Sequence, residues 1–149
     1  MSSIRVSRRV NAPAPKVWAL LTDLERSPDR ISAIQKVERL DGGGEFGVGT
    51  EWVETRTMFG KEATERMRVV DVQPGTSYTT EAASHGAKYV STLRVVPDGD
   101  GSLVSMEFTG EPQTMAAKVM VGLTGWAFKN ATRKAVEQEL DDIAAAAQA

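Results

Sequence analysis

GTEWVETRTMFGKEATERMRVV, residues 49–70, is the stretch on which the fold of this chain turns. Two runs of alternating apolar and polar residues flank one glycine, Gly60, as the two strands of a β-hairpin flank their turn. With a period of two, Trp52, Met58, Met67 and Val69 fall on one side. Thr55, Thr57, Thr64, Arg66 and Arg68 fall on the other. Glu54, Arg56 and Glu65 break the pattern, because their phase is that of the apolar side. A charge turned toward a core is costly unless paired, so three of them in that phase predict a site.

Outward from this hairpin, turn signals recur at Pro74-Gly75, at His85-Gly86 and at Pro97-Asp98-Gly99-Asp100-Gly101. They predict a meander of long antiparallel strands. Two-residue loops at Gly60-Lys61, Pro74-Gly75 and His85-Gly86 set Arg56 opposite Glu65, and Glu54 opposite Met67. The same rule sets Met67 opposite Ala82, and Ala82 opposite Tyr89. Directly opposed residues share a face, so the inner face also collects Tyr78, Thr80, Ser91, Leu93, Met106 and Phe108. The outer face collects Arg66, Arg68, Lys88 and Arg94, with Val53, Val70 and Val90 as apolar exceptions.

At the N-terminal end, Ile4, Val6 and Val10 alternate with polar residues as in a half-buried strand; Arg8 interrupts the apolar side and is expected to snorkel outward. Asn11 to Pro15 stops that strand, and the prolines suit a first helical turn. Val17, Trp18, Leu20, Leu21 and Leu24 form the apolar stripe of a short helix, and Ser27-Pro28-Asp29 marks a further helical turn. A second strand over 33–40 ends at Asp41-Gly42-Gly43-Gly44. Pro112 and Thr114 open the last element, a helix to about Gln148 carrying Met115, Val119, Leu123, Trp126, Val136, Leu140 and Ile143 at helical spacing. Such a helix spans roughly 50 Å and outreaches a ten-residue strand of roughly 33 Å; Gly122 and Gly125 offer a place to bend. The expected fold is α+β. A curved antiparallel sheet of about seven strands wraps around a long C-terminal helix, two short helices follow strand 1, and residues 1–149 make one domain.

Composition excludes several functions. A net charge of −2 lacks the basic surplus of a nucleic-acid or anionic-membrane footprint. The chain has no cysteine and one histidine, His85, in an expected turn, so neither a thiolate metal site nor a triad can be assembled. Asp98-Gly99-Asp100-Gly101 is a hairpin, since Thr109 stands where a calcium loop needs glutamate. Gly42, Gly44 and Gly47 match a phosphate-loop pattern but precede a strand instead of a helix; a loop at the cavity edge is expected. The opening MSSIRVSRRV lacks the apolar stretch of a secretory signal, and no run approaches the ~18 apolar residues of a membrane span. A cytoplasmic location without membrane insertion is expected, with monomer and homodimer both open.

Val10-Asn11-Ala12-Pro13-Ala14-Pro15-Lys16-Val17-Trp18-Ala19-Leu20-Leu21-Thr22-Asp23 resembles the opening of the SRPBCC superfamily, the START or Bet v 1-like helix-grip proteins. Gly47-Val48-Gly49-Thr50, the strand end from Val69 to Pro74 and the hairpin from Pro97 to Val104 are similar to that superfamily in the same order. The chain resembles its polyketide cyclase/dehydrase-like branch. The resemblance implies a cavity between sheet and long helix for lipids, polyketides or other amphipathic molecules, with no cofactor. Many relatives carry a tryptophan after the second helical segment, where this chain has Arg30 and Ile31.

The residues expected to line the cavity are Trp52, Glu54, Arg56, Glu65, Met67 and Tyr78, with Tyr89, Met106, Phe108, Leu123 and Trp126. Thr80, Ala82 and Ser91 are small enough to leave room beside them. In the expected chemistry Arg56 holds a carboxylate or phenolate of the ligand while Glu54 accepts a hydroxyl. The first functional expectation is binding or transport of a small hydrophobic or amphipathic molecule. The second is a cofactor-independent cyclase or dehydratase using Glu54, Arg56 and Glu65. The third is a protein-interaction module presenting Arg66, Arg68, Lys88 and Arg94.

Overall fold

Alternation and turn chemistry produce seven strands in the computed structural model of the chain. It describes residues 2–58, 60–84 and 86–149, the side chains of residues 2, 58, 84 and 120–128 excepted. The strands are β1 (Ser2–Val10), β2 (Ile34–Arg39), β3 (Glu51–Met58), β4 (Lys61–Gln73), β5 (Ser77–Ser84), β6 (Ala87–Asp98) and β7 (Gly101–Pro112). They form one antiparallel sheet in the order β1-β7-β6-β5-β4-β3-β2. The first two strands therefore lie at opposite edges. The chain crosses between them through helix α1 (Ala14–Thr22), a 3₁₀ turn (Leu24–Arg26) and a short helix α2 (Ser27–Arg30). The last helix, α3 (Met115–Gln148), packs on β1, β7 and α1.

Each helix begins where its sequence says it can. Pro13 and Pro15 bracket the start of α1, and the Pro13 carbonyl accepts from the amides of Lys16 and Val17 at 3.0 and 3.2 Å. Thr114 caps α3 by accepting from the Ala117 amide at 3.1 Å. Arg8 does point outward. Its Nε donates to Asp141 on α3 at 2.7 Å, closing the edge of the core with an exposed ion pair.

The hairpins correct the expected register without changing the faces. In the first hairpin Met58 is opposite Lys61 and Gly60 takes φ +78°. Arg56 therefore faces Ala63, and Glu54 faces Glu65 instead of Met67, which is opposite Trp52. This slip is by two positions, and two is the side-chain period of a strand, so every inward residue stays inward. The second turn is one residue longer than expected, with Gln73 opposite Ser77. A bulge between Val69 and Asp71 absorbs the difference and returns Met67 to its place opposite Ala82. It also turns both Val69 and Val72 toward the core, which strict alternation would forbid. Ala82 pairs with Tyr89 as expected.

The main core lies where α1 and the C-terminal half of α3 meet β1, β6 and β7. Val10, Val17, Val95, Val104 and Leu140 are at most 1 % exposed there, each contributing about 1.5–3 kcal/mol of burial. The N-terminal turns of α3 differ from expectation: Met115 and Val119 are 75 % and 55 % exposed. His85 and the side chains of Leu123 and Trp126 lie outside the described residues. Among the described residues no helix is long and apolar enough to cross a membrane.

Candidate functional site

Trp52, Glu54 and Arg56 alternate inward along β3, and their polar atoms connect. Trp52 Nε1 donates to Glu54 Oε1 at 3.2 Å, and Arg56 Nε donates to Glu54 Oε2 at 2.8 Å. Arg56 Nη2 reaches across to α3 and donates to Glu139 Oε1 at 3.0 Å. Glu54 and Glu139 are 6 % and 8 % exposed. This chain of contacts is a polar tie between β3, the strand beside the β2 edge, and α3. Burial works against the charge on Arg56, but the carboxylates of Glu139 and Glu54 outweigh it and hold its pKa above the ordinary value. The arginine expected to receive a ligand carboxylate thus holds two carboxylates of its own chain.

Around this tie is a cavity of about 140 Å³ between sheet, α2 and α3. Trp52, Glu54, Arg56, Glu65, Met67, Tyr78, Tyr89, Met106 and Phe108 all line it, as do the small Thr80, Ala82 and Ser91. Tyr78 is buried and donates to the Leu21 carbonyl at 3.4 Å. Burial, then the negative charges of Glu139 and Glu54, push its pKa well up. Tyr89 stacks on Phe108 with ring centroids 5.6 Å apart. Its pKa is raised by burial and then by Glu65. Both hydroxyls are therefore protonated donors at neutral pH.

Sequence reasoning sought the helix side of the wall at Leu123 and Trp126, whose side chains lie outside the described residues, and missed its members farther along α3. Thr132, Val136, Glu139 and Ile143 face the cavity from α3. Their spacing of four, three and four is that of one helical face, and Val136 and Ile143 were visible as its apolar members. Glu139 is in phase with them, and a charged residue inside an apolar stripe is the same signal that exposed Glu54. Arg30 and Ile31 also line the cavity. Arg30 donates to the Leu20 carbonyl at 3.3 Å and has Nη2 3.6 Å from Asp23 Oδ2.

The glycine-rich loop is tied down by an almost buried arginine. Arg39 donates from Nε and Nη2 to the two oxygens of Asp41 at 2.8 and 2.7 Å, and from Nη2 to the Gly44 carbonyl at 2.6 Å. Phe46, farther along, packs edge-on against Tyr78 with centroids 4.9 Å apart. The arginine contact holds the Asp41 pKa down to about 2, below its ordinary 3.8. A depressed carboxylate stabilises the fold above its unfolded pKa, and that contribution is lost as pH falls from about 4 toward 2. Arg39→Met is expected to return Asp41 to the ordinary carboxylate range, read by the side-chain carboxyl carbon in an NMR titration. A midpoint still near 2 in the variant would show that backbone amides, not Arg39, hold it.

The convex face carries mixed charge. Arg66 and Arg68 share Glu51 at 2.5 and 3.9 Å, and Lys88 pairs with Glu81 at 3.1 Å. Arg94 is exposed.

The profile of a family described as polyketide cyclase/dehydrase and lipid transport matches residues 1–148. No curated protein matches the chain. Among solved structures it is similar to the di-domain ARO/CYC BexL from the BE-7585A biosynthetic pathway, with a TM-score of 0.80 and 16 % identity over 99 % of this chain and 50 % of that one. It is similar to major latex-like protein 151 from Panax ginseng, with a TM-score of 0.75 and 16 % identity over 98 % and 97 % of the two chains. It is also similar to a START superfamily protein from Mycobacterium smegmatis, with a TM-score of 0.63 and 18 % identity over 91 % and 97 %. At these identities the likeness establishes the helix-grip fold and nothing of the chemistry.

Proposed function

Because this chain belongs to the polyketide cyclase/dehydrase and lipid transport family, in the START/Bet v 1-like superfamily, we propose that it binds a small hydrophobic or amphipathic molecule in the cavity between sheet and α3. The observation that supports this reading best is the wall itself. Apolar side chains surround a buried, hydrogen-bonded charge network, and Thr80, Ala82 and Ser91 leave space above it. An engineered cavity of about 150 Å³ holds a benzene ring, so the guest contributes at least one ring or a short alkyl segment to the described part of the cavity. A cyclase or dehydratase working through Glu54 is less well supported. Both oxygens of Glu54 already accept hydrogen bonds, from Trp52 and Arg56. An interaction module built on the convex face is weaker still, because Arg66, Arg68 and Lys88 are paired across their strands. We place the binding function in the cytoplasm.

Native mass spectrometry of the purified protein tests the proposal. The expected result is an added mass that organic extraction removes. Ala82→Phe should abolish it, because Ala82 is 5 % exposed and its side chain points into the cavity. Repeated empty spectra, together with no thermal shift across a library of amphipathic compounds, would overturn the reading.

A further inference from the structure

Hydroxyls opposed across two strands of this sheet can satisfy each other. On the convex face Thr55 and Thr64 do so at 3.2 Å, and Thr79 and Thr92 at 2.9 Å. One residue on from the second pair, Thr80 of β5 is directly opposite Ser91 of β6 on the concave face, and both line the cavity. Thr80 is only 4 % exposed. Among the described residues no hydrogen bond engages either hydroxyl. Every described side-chain oxygen that is sealed from solvent has a partner. The Thr80 oxygen is therefore not sealed, and the space it opens on is the cavity it lines. A buried hydroxyl left without a partner is costly, so a partner for this pair has to come from what occupies the cavity.

We infer, resting on the cavity reading above, that Thr80 and Ser91 together hold a neutral carbonyl oxygen of the guest. Directly opposed residues have Cβ atoms about 5 Å apart, and two O–H···O bonds of about 2.8 Å each cover about 5.6 Å end to end. One oxygen between the two hydroxyls therefore reaches both, and the two lone pairs of a carbonyl accept both protons. Val69 and Phe108 flank the pair across the sheet, and Ala82 and Leu93 along the strands, so the hydroxyls are a polar spot in an apolar floor. The carboxylates of Glu54 and Glu139 already occupy Arg56, so a charged acid gains nothing from that guanidinium.

Benzylacetone and butylbenzene share one body and only the first has a carbonyl, so titrating both, read by NMR of the protein, isolates the oxygen. Thr80→Val and Ser91→Ala remove the hydroxyls at little change of shape. Each is expected to weaken benzylacetone about fivefold, and the two together about twenty-five-fold, while butylbenzene binds as before or more tightly. The double variant should keep or raise its Tm, since it removes groups that bond nothing within the fold; a structural role would lower it. The infrared carbonyl stretch of bound benzylacetone should fall toward its value in alcohol with the parent protein and return to its value in hydrocarbon with the variant. An unshifted stretch in the parent protein overturns the hydroxyl-pair inference. So does a ketone affinity that the double variant leaves in place, or a loss shared equally by both compounds; either outcome leaves the cavity reading standing. Failure of both compounds to bind the parent protein overturns the inference and the cavity reading together.

Discussion

Replacing Arg56 with methionine is expected to destabilise the protein by about 3 kcal/mol, which for a chain of this length lowers Tm by about 9 °C. The volume changes little; the loss is electrostatic. Glu54 and Glu139 are both nearly buried and both accept from this one guanidinium. Without it, two carboxylates face each other across the gap between sheet and helix, in surroundings that solvate them poorly. The side chain of Arg56 keeps 22 % exposure, so water would soften the penalty, and about 3 kcal/mol is set at the low end of what breaking a buried pair costs. Two further measurements separate this account from simple repacking. The deficit should shrink as pH falls toward the ordinary glutamate pKa of about 4.3, because protonated carboxyls need no cation. The triple variant Glu54→Gln, Arg56→Met, Glu139→Gln should recover most of the lost stability. A single variant within half a kcal/mol (about a twofold change in unfolding constant) of the parent in urea melts would show that the network carries no weight.

Gly101→Ala is the second large effect, expected at about 2 kcal/mol. A Cβ at Gly101 would sit 2.5 Å from the Val10 carbonyl oxygen and 2.9 Å from Arg9 Nη2. The arginine tip can swing away. The carbonyl cannot, because it belongs to the last residue of β1, where Val10 pairs with Ser102 and the Ser102 hydroxyl donates to the Ala12 carbonyl. Relief would require the β1–β7 pairing to open at the point where the main core is tightest. Gly99→Ala is the comparison. At φ +61° it has nothing closer than Arg9 Nη2 at 4.0 Å, so it meets only backbone strain of about 1 kcal/mol. Equal losses in the two variants would mean that β1 yields without cost.

The strand faces were legible because their information is parity. An error of two in the first hairpin moved Glu54 from opposite Met67 to opposite Glu65, yet left both on the concave side. The longer second turn and the bulge beside Val70 are separate departures from ideal pairing that cancel before Met67. No local signal reports a bulge whose effect is visible only through its partner strand. Glu139 was missed for another reason. A glutamate on a long helix is ordinarily solvent-facing, and its in-phase neighbours Val136 and Ile143 had to be weighed together with it. The cluster predicted from one hairpin was therefore half of a site whose other half comes from a helix more than eighty residues later. Contacts that distant leave a trace of phase in each partner but no trace of the partnership.

The pairing of β1 with β7 also sets an order of events during synthesis. Ser2 finds its partner at Gly110 and Val10 at Ser102, so the first strand made waits for the last one. Until then Ile4 and Val10 lack the strand that pairs with theirs, and the meander lacks its final neighbour. Closing so long a loop is slow compared with forming the hairpins. The ribosome must release the segment that follows residue 112 before α3 can dock and the guest's chamber can exist at all.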